Sequence, residues 1–361
     1  MQTSRNGFGR MDLLDDVAHK ARVALRVAVN AYWEYKPLYT LRRLTTRLDD
    51  IPINRPVFLL GVQGGGLTLL TRILHRHPCV VTIGGGRRYW VGNNEMDKQY
   101  IRDLPEALTL RSPGFTSPVF KTHMTGAEER HPVFGRERSW VYACNDLVDR
   151  YRQTGADYTP AKAEALQTAI RESLRAYAIS PTKARFLDMS QTFILKIPLL
   201  QRIFPDARFV IQTRDPYATC YKEATDLRYA WRQEASMGQK LQVFAENWVN
   251  SYRFAVQDLE DDPKALFIRY EDLTAAPEDA VRAVTDSIDL PLLPDMLPQL
   301  HHTLPWGSTE SHKWYPIREN VNDKHRAAVS DEHAQRIRAV VHPLAEKFGY
   351  APPEPPKRWP N

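Results

Sequence analysis

The stretch that most constrains this chain is VFLLGVQGGGLT (Val57–Thr68), followed by LLTRIL. Four consecutive apolar residues read as a short strand buried on both faces. A glycine cluster then turns the chain, and Thr68–His75 continues with helical spacing. A strand that ends in glycines and feeds a helix belongs in a layered α/β fold. The N–H groups of such a turn, joined by the unpaired amides of the helix N-terminus, form a cradle for an anion. A bare glycine turn with no ligand is the alternative. Gly61–Leu70 contains no lysine or arginine, so any positive charge at this loop must come from elsewhere.

Other segments extend the same layering. RFLDMS, ARFVIQT and Ala265–Tyr270 read as strands, and Thr159–Ile179, LKIPLLQRIF, Gln239–Leu259, Pro277–Ile288 and Asp331–Phe348 as helices. Thr159 is an N-cap, and Pro160 occupies the first turn, where its missing N–H costs nothing. Alternating strands and helices, with strands apolar on both faces, predict a parallel sheet covered on both sides. The expected organisation is a helical extension over 1–50, an α/β domain over 51–350 and an extended tail over 351–361. Within the domain, the stretch from 84 to about 138 has little periodicity and many Gly, Pro, Asn and Trp residues. It is expected to be a set of substrate loops or a poorly ordered insertion.

The formal net charge of +6 favours anionic partners: nucleic acid, a membrane surface or a phosphorylated small molecule. No basic cluster interleaved with aromatics supports nucleic acid. Residues 11–47 set Val17, Ala21, Leu25 and Val29 against Lys20, Arg22 and Arg26 at helical spacing. That pattern suits either peripheral membrane contact or packing on the chain's own domain. Cys79, Cys144 and Cys220 offer no disulfide framework or metal pair, so a reducing compartment is expected. The N-terminus lacks the apolar core of a signal peptide, and a cytoplasmic location is expected. His301-His302 reads as a loop pair, and no metal is expected.

The glycine segment matches G-x-x-x-x-G-K-[ST] at Gly61, Gly66 and Thr68, but Leu67 stands at the lysine. That lysine reaches the β- and γ-phosphates in triphosphate chemistry, so a P-loop kinase becomes the weaker reading. A second signal lies in IFPDARFVIQTRDPYATCYK, where Arg214 ends an apolar strand before Asp-Pro and a helix start.

With both segments in place, the chain resembles the PAPS-dependent sulfotransferase family. That family carries G-x-x-R-S-G-T-[ST]-L-L, matched here by GVQGGGLTLL. It also carries LFPDAKFI-x-x-x-RDP followed by a serine, matched by IFPDARFVIQTRDPYATCYK. LKIPLLQRIFPDA, LFIRYEDLTAAPEDAVRAVTDSIDLP and LAEKFGY are similar as well, so the resemblance covers about 55–90 and 185–350. It implies a P-loop NTPase-like central parallel sheet flanked by helices on both faces. It also implies transfer of a sulfuryl group from PAPS (3′-phosphoadenosine 5′-phosphosulfate) to a hydroxyl or amine of a small-molecule or saccharide-like acceptor, with no metal.

The same resemblance assigns the 5′-phosphate to the backbone of Gly64, Gly65, Gly66 and Leu67 with the Thr68 hydroxyl. It assigns the 3′-phosphate to Arg214, whose alternative is a salt bridge with Asp215. The family serine falls on Lys222, so the contact is either kept with a charge or moved to Thr219. Two family cations are missing. The loop arginine falls on Gly64, and the lysine of "D-K-[ST]-P" falls on Met189. Replacement candidates are Lys121 in VFKTH, Arg87 or Arg88, and Lys313 in SHKWYP. Glu95 is the first candidate for general base and His123 the second, with a solvated loop acid as the alternative for Glu95. A nucleotide-binding or scaffold protein without transfer activity remains open.

Overall fold

The computed structural model describes residues 35–87, 89–90, 95–98, 141–226, 235–297, 299 and 317–353, with further positions between 17 and 33. Among the described residues seven strands form one sheet: β1 (Val57–Leu60), β2 (Val80–Thr82), β3 (Gly85–Gly86), β4 (Tyr89–Trp90), β5 (Arg185–Asp188), β6 (Arg208–Thr213) and β7 (Ala265–Arg269). The order is β4-β3-β2-β5-β1-β6-β7. The neighbours from β2 to β7 run parallel, whereas β3 and β4 add an antiparallel edge. This edge corrects the expectation of irregular chain after Gly84.

Helices of five or more residues are numbered α1 (Leu67–His75), α2 (Pro160–Tyr177), α3 (Ile197–Ile203), α4 (Pro216–Thr225), α5 (Met237–Leu259), α6 (Tyr270–Ala275), α7 (Pro277–Ser287), α8 (Asp323–Ala327) and α9 (Asp331–Val341). The alternation of side chains along β1 shows why its sequence is apolar throughout. Phe58 and Leu60 join the core that also holds residues of α2, α3 and α5. Val57 and Leu59 join the opposite core, with residues of α1 and α7. β6 repeats the pattern, with Phe209 and Ile211 on one face and Val210 on the other. Both faces are therefore dry, as a parallel sheet requires.

Two helix expectations need correction. The helix expected over Asp331–Phe348 is broken into α9 and a short helix Leu344–Lys347, because Pro343 has no N–H to continue the ladder. α5 starts at Met237, earlier than the apolar periodicity indicated, because Ser236 and Gln239 form a capping box there.

The N-terminal extension breaks into short helices at Lys36–Tyr39 and Arg42–Thr45. It is tied to the domain: Arg42 donates to the carbonyls of Arg175, Ala178 and Ile179, covering the open C-terminus of α2. The Tyr177 hydroxyl donates to the Trp33 carbonyl at 2.6 Å. The packing alternative thus holds for Trp33 and Arg42, while Tyr32, Leu38, Leu41 and Leu44 stay exposed. Among the described residues no helix is long and apolar enough to cross a membrane. The three cysteines are free thiols.

Candidate active site

Four neighbouring strands, β5, β1, β6 and β7, end at Asp188, Leu60, Thr213 and Arg269. In open α/β sheets the crevice outside these carboxyl ends is where ligands bind. The loop Gly61–Gly66 leaves β1 here. Gly64 and Gly66 have φ of +77° and +86°, the left-handed region that favours glycine. Gln212 Nε2 donates to the Gly65 carbonyl at 2.7 Å, and the Tyr252 hydroxyl donates to the Gln212 carbonyl at 2.7 Å. β6 and α5 thereby fix the loop from behind.

α1 begins at Leu67 with Gly66 as N-cap and no side-chain cap, so among the described residues no side chain caps the amides of its first turn. Leu67 itself is buried in the apolar cluster beneath the loop. The position that carries a lysine in triphosphate loops therefore faces the core, and the kinase reading loses its support. Among the predicted loop residues, Gly65 and Leu67 are buried, while Gly64, Gly66 and Thr68 are half-buried.

Arg214 emerges from β6 beside this loop and is 5% exposed. Its Nη1 donates to the Gly64 carbonyl at 2.8 Å, and its Nε donates to Asn322 Oδ1 at 2.9 Å. The guanidinium carbon lies 4.4 Å from the centre of the Tyr270 ring, a cation–π contact. Asp215 is not its partner. That carboxylate caps α4 through the Ala218 amide at 2.8 Å and pairs with Arg326. Glu271 accepts from the Asp215 amide at 3.0 Å, from the Tyr350 hydroxyl at 2.9 Å and from Asn322. Asn322, Tyr270 and Glu271 are thus the residues that orient Arg214, and the motif reading did not assign them this role.

Lys222 lies on α4, with Nζ 2.9 Å from Glu223 Oε1. One turn earlier, Thr219 is buried, and its hydroxyl has no hydrogen-bond partner among the described residues. Burial, followed by the nearby Lys222 and Arg214, lowers the pKa of His325 on α8. Arg214, Lys222 and His325 therefore share one neighbourhood next to the loop.

Of the other proposed cations, Arg87 is described, and it does not join this group. Arg87 is exposed and reaches Asp295 at 3.4 Å. Met189 is buried, and its sulfur accepts from Thr71 Oγ1 at 3.0 Å, so this position is apolar. Arg88, Lys121, His123 and Lys313 lie outside the described residues. Glu95 is buried at 7% exposure and is brought to the end of β5 by the neighbouring Met96 amide, which donates to Asp188 Oδ1 at 2.8 Å. Burial above all, with Glu95 among the lesser charges, raises the pKa of Tyr142, whose hydroxyl donates to the Gly61 carbonyl at 3.4 Å. Among the described residues no group of three His, Cys, Asp or Glu side chains could hold a metal ion.

Behind this site lies a buried polar network. The Ser190 hydroxyl donates to Asp188 Oδ1 at 2.9 Å, Thr192 Oγ1 donates to Asp97 Oδ2 at 2.7 Å, and Lys196 Nζ donates to the Thr192 carbonyl at 3.2 Å. Burial, with Asp97 nearby, pushes the Asp188 carboxyl up to about 8, and burial pulls the Lys196 ammonium down to about 8. For Asp188 the folded state binds the proton more tightly than the unfolded chain. Its contribution to stability is full below about pH 4 and is lost as pH rises towards 8. Lys196 acts in a different window, above pH 8. Urea unfolding of Asp188→Asn between pH 5 and 8 is therefore expected to show a flatter pH dependence than wild type. Identical slopes would contradict the assignment.

A family model described as "Sulfotransferase family" matches residues 56–295 of the chain, which include the loop, Arg214 and β7. The chain belongs to the sulfotransferase family. Its reaction class is therefore sulfuryl transfer. Solved structures similar to this sulfotransferase are distant. A sulfotransferase (STF9) from Mycobacterium avium is 14% identical, covers 96% of this chain and 88% of its own, and has a TM-score of 0.49. The sulfotransferase domain of the Synechococcus PCC 7002 olefin synthase is 16% identical, with coverage of 83% and 97% and a TM-score of 0.45. The sulfotransferase domain of the curacin biosynthetic pathway is also 16% identical, covering 84% and 99%, with a TM-score of 0.45. At these scores the likeness fixes no residue correspondence. No curated protein sequence matches the chain.

Proposed function

We propose that this sulfotransferase moves the sulfuryl group of PAPS to a hydroxyl or amine of a small-molecule or saccharide-like acceptor. The observation that carries this reading is the contact between Arg214 and the loop. A buried guanidinium with two directed N–H bonds stands beside a glycine loop whose helix N-terminus is uncapped. One element suits a phosphate held by amides, the other a phosphate held by a fork of charged donors. The Thr219 hydroxyl, on the helix that carries Lys222, adds a donor with no partner among the described residues. These residues fit an adenosine carrying a phosphate at each end.

In the transfer, the bond from sulfur to the phosphate oxygen breaks and a bond from sulfur to the acceptor forms. Charge collects on the phosphate oxygen, where fixed donors lower the barrier. The acceptor proton passes to a base, and Glu95 is proposed for that role from its burial beside Met96, whose amide is tied to Asp188 at the end of β5. With radiolabelled PAPS and a panel of hydroxyl and amine acceptors, Glu95→Gln is expected to lower kcat by about 10²–10⁴-fold. Its affinity for adenosine 3′,5′-bisphosphate should stay unchanged. Full turnover in this variant would remove Glu95 from the mechanism.

A second reading, nucleotide binding without transfer, is favoured by the apolar setting of Met189. Tight bisphosphate binding with no transfer to any acceptor would select it.

A further inference from the structure

Gly64 leaves the loop without its cation, yet the space that a side chain would enter there is filled. A Cβ on Gly64 would lie 2.8 Å from Oε1 of Glu223 and 3.2 Å from its Cγ and Cδ. Glu223 belongs to α4, the helix that follows Arg214, and is 1% exposed. A carboxylate buried against an anion-binding loop is unfavourable unless a cation neutralises it. That cation is Lys222, whose Nζ lies 2.9 Å from the same Oε1. Its side chain is 31% exposed, so Lys222 is tied to the buried carboxylate while part of it remains open to solvent. An ammonium carries three donors, and one is given to Glu223.

We propose that Lys222, held in place by Glu223 against Gly64, departs from the 3′-phosphate contact that the resemblance gives its position and supplies to the leaving 5′-phosphate the positive charge that the loop itself lacks at Gly64. The inference rests on the nucleotide site proposed above. The cation has moved from the loop to the neighbouring helix, and the volume it vacated is occupied by the carboxylate that positions it. Gly64 is then glycine for two reasons, its φ of +77° and the approach of Glu223. During transfer the electron pair of the broken bond stays on the phosphate oxygen, and Lys222 remains protonated beside it. The acceptor proton leaves by the base. Glu223 touches no reacting atom and is a positioning residue. A lysine suits this task because it is a compact charge on a flexible stem, able to follow the oxygen as charge builds.

The test separates the two ends of the nucleotide. Wild type, Lys222→Met and Lys222→Arg are titrated with adenosine 3′,5′-bisphosphate, adenosine 5′-monophosphate and adenosine 3′-monophosphate. Lys222→Met is expected to weaken the bisphosphate and the 5′-monophosphate by about 10–100-fold, the range for a lost hydrogen bond to a charged group. The 3′-monophosphate should bind within about twofold of wild type, since its phosphate meets Arg214. Lys222→Arg should restore most of the 5′-phosphate affinity.

Glu223→Gln, checked for an intact fold by circular dichroism, should weaken the 5′-monophosphate selectively, by less than Lys222→Met. Losses confined to the bisphosphate and the 3′-monophosphate would place Lys222 at the other end and overturn the proposal. Unchanged affinity for all three nucleotides would make it a surface lysine. Wild type that binds none of the three would instead bring down the nucleotide site, a result distinct from either.

Discussion

Alanine at Gly66 is expected to destabilise the protein by about 2–5 kcal/mol and to abolish nucleotide binding. Two effects add. The residue has φ +86°, which costs a side-chain-bearing residue about 1–2 kcal/mol. Its Cβ would also lie 2.3 Å from Cδ2 and 2.4 Å from Cε2 of Tyr270. The ring has little room to withdraw. It is 8% exposed, packs in the apolar cluster beneath the loop, and has the Arg214 guanidinium over its face. Overpacking of this kind adds about 1–3 kcal/mol. Urea unfolding measures the first effect and calorimetric titration the second. A variant that keeps wild-type stability and affinity would show that the loop is not held as described.

Removal of Arg214 is expected to weaken binding strongly with little change in fold. Arg214→Ala deletes the donors that reach Gly64 and Asn322 and the charge packed on Tyr270. A bidentate, charge-assisted contact to a phosphate combines two bonds of about 1.5–3 kcal/mol each. The affinity for adenosine 3′,5′-bisphosphate should therefore fall by at least about 100-fold. Arg214→Lys should recover only part of it, because an ammonium cannot reproduce the planar fork. Since Asp215 keeps its own partners in Arg326 and the Ala218 amide, α4 should remain capped in both variants. A loss of less than about threefold in Arg214→Ala would separate this residue from the phosphate.

The layered fold was legible because its strands are short apolar runs with no polar face to confuse them. VFLL could only be buried on both sides, and its residues do alternate between two cores. The glycine turn and the arginine after β6 were legible for a related reason: each is a local pattern, read from neighbours along the chain. The rest depends on contacts between distant segments. Glu271 orients Asn322 and Tyr350 from three separate parts of the sequence, and no periodicity marks the group. The fit of Glu223 against Gly64 is of the same kind. On the proposal made for Lys222, it links a loop that looked incomplete in the sequence to a charge carried by α4. The edge strands β3 and β4 were missed because two-residue strands carry no period. The break at Pro343 was visible in VVHPLAEKF, and the helical pattern on either side concealed it.

The most direct measurement is calorimetric titration of the wild-type protein with adenosine 3′,5′-bisphosphate, repeated with each monophosphate and with adenosine. One-to-one binding is expected, weakened by salt and at least about tenfold tighter for the bisphosphate than for either monophosphate. Absence of binding, or equal affinity for the bisphosphate and for bare adenosine, would contradict a site that holds one nucleotide by both of its phosphates.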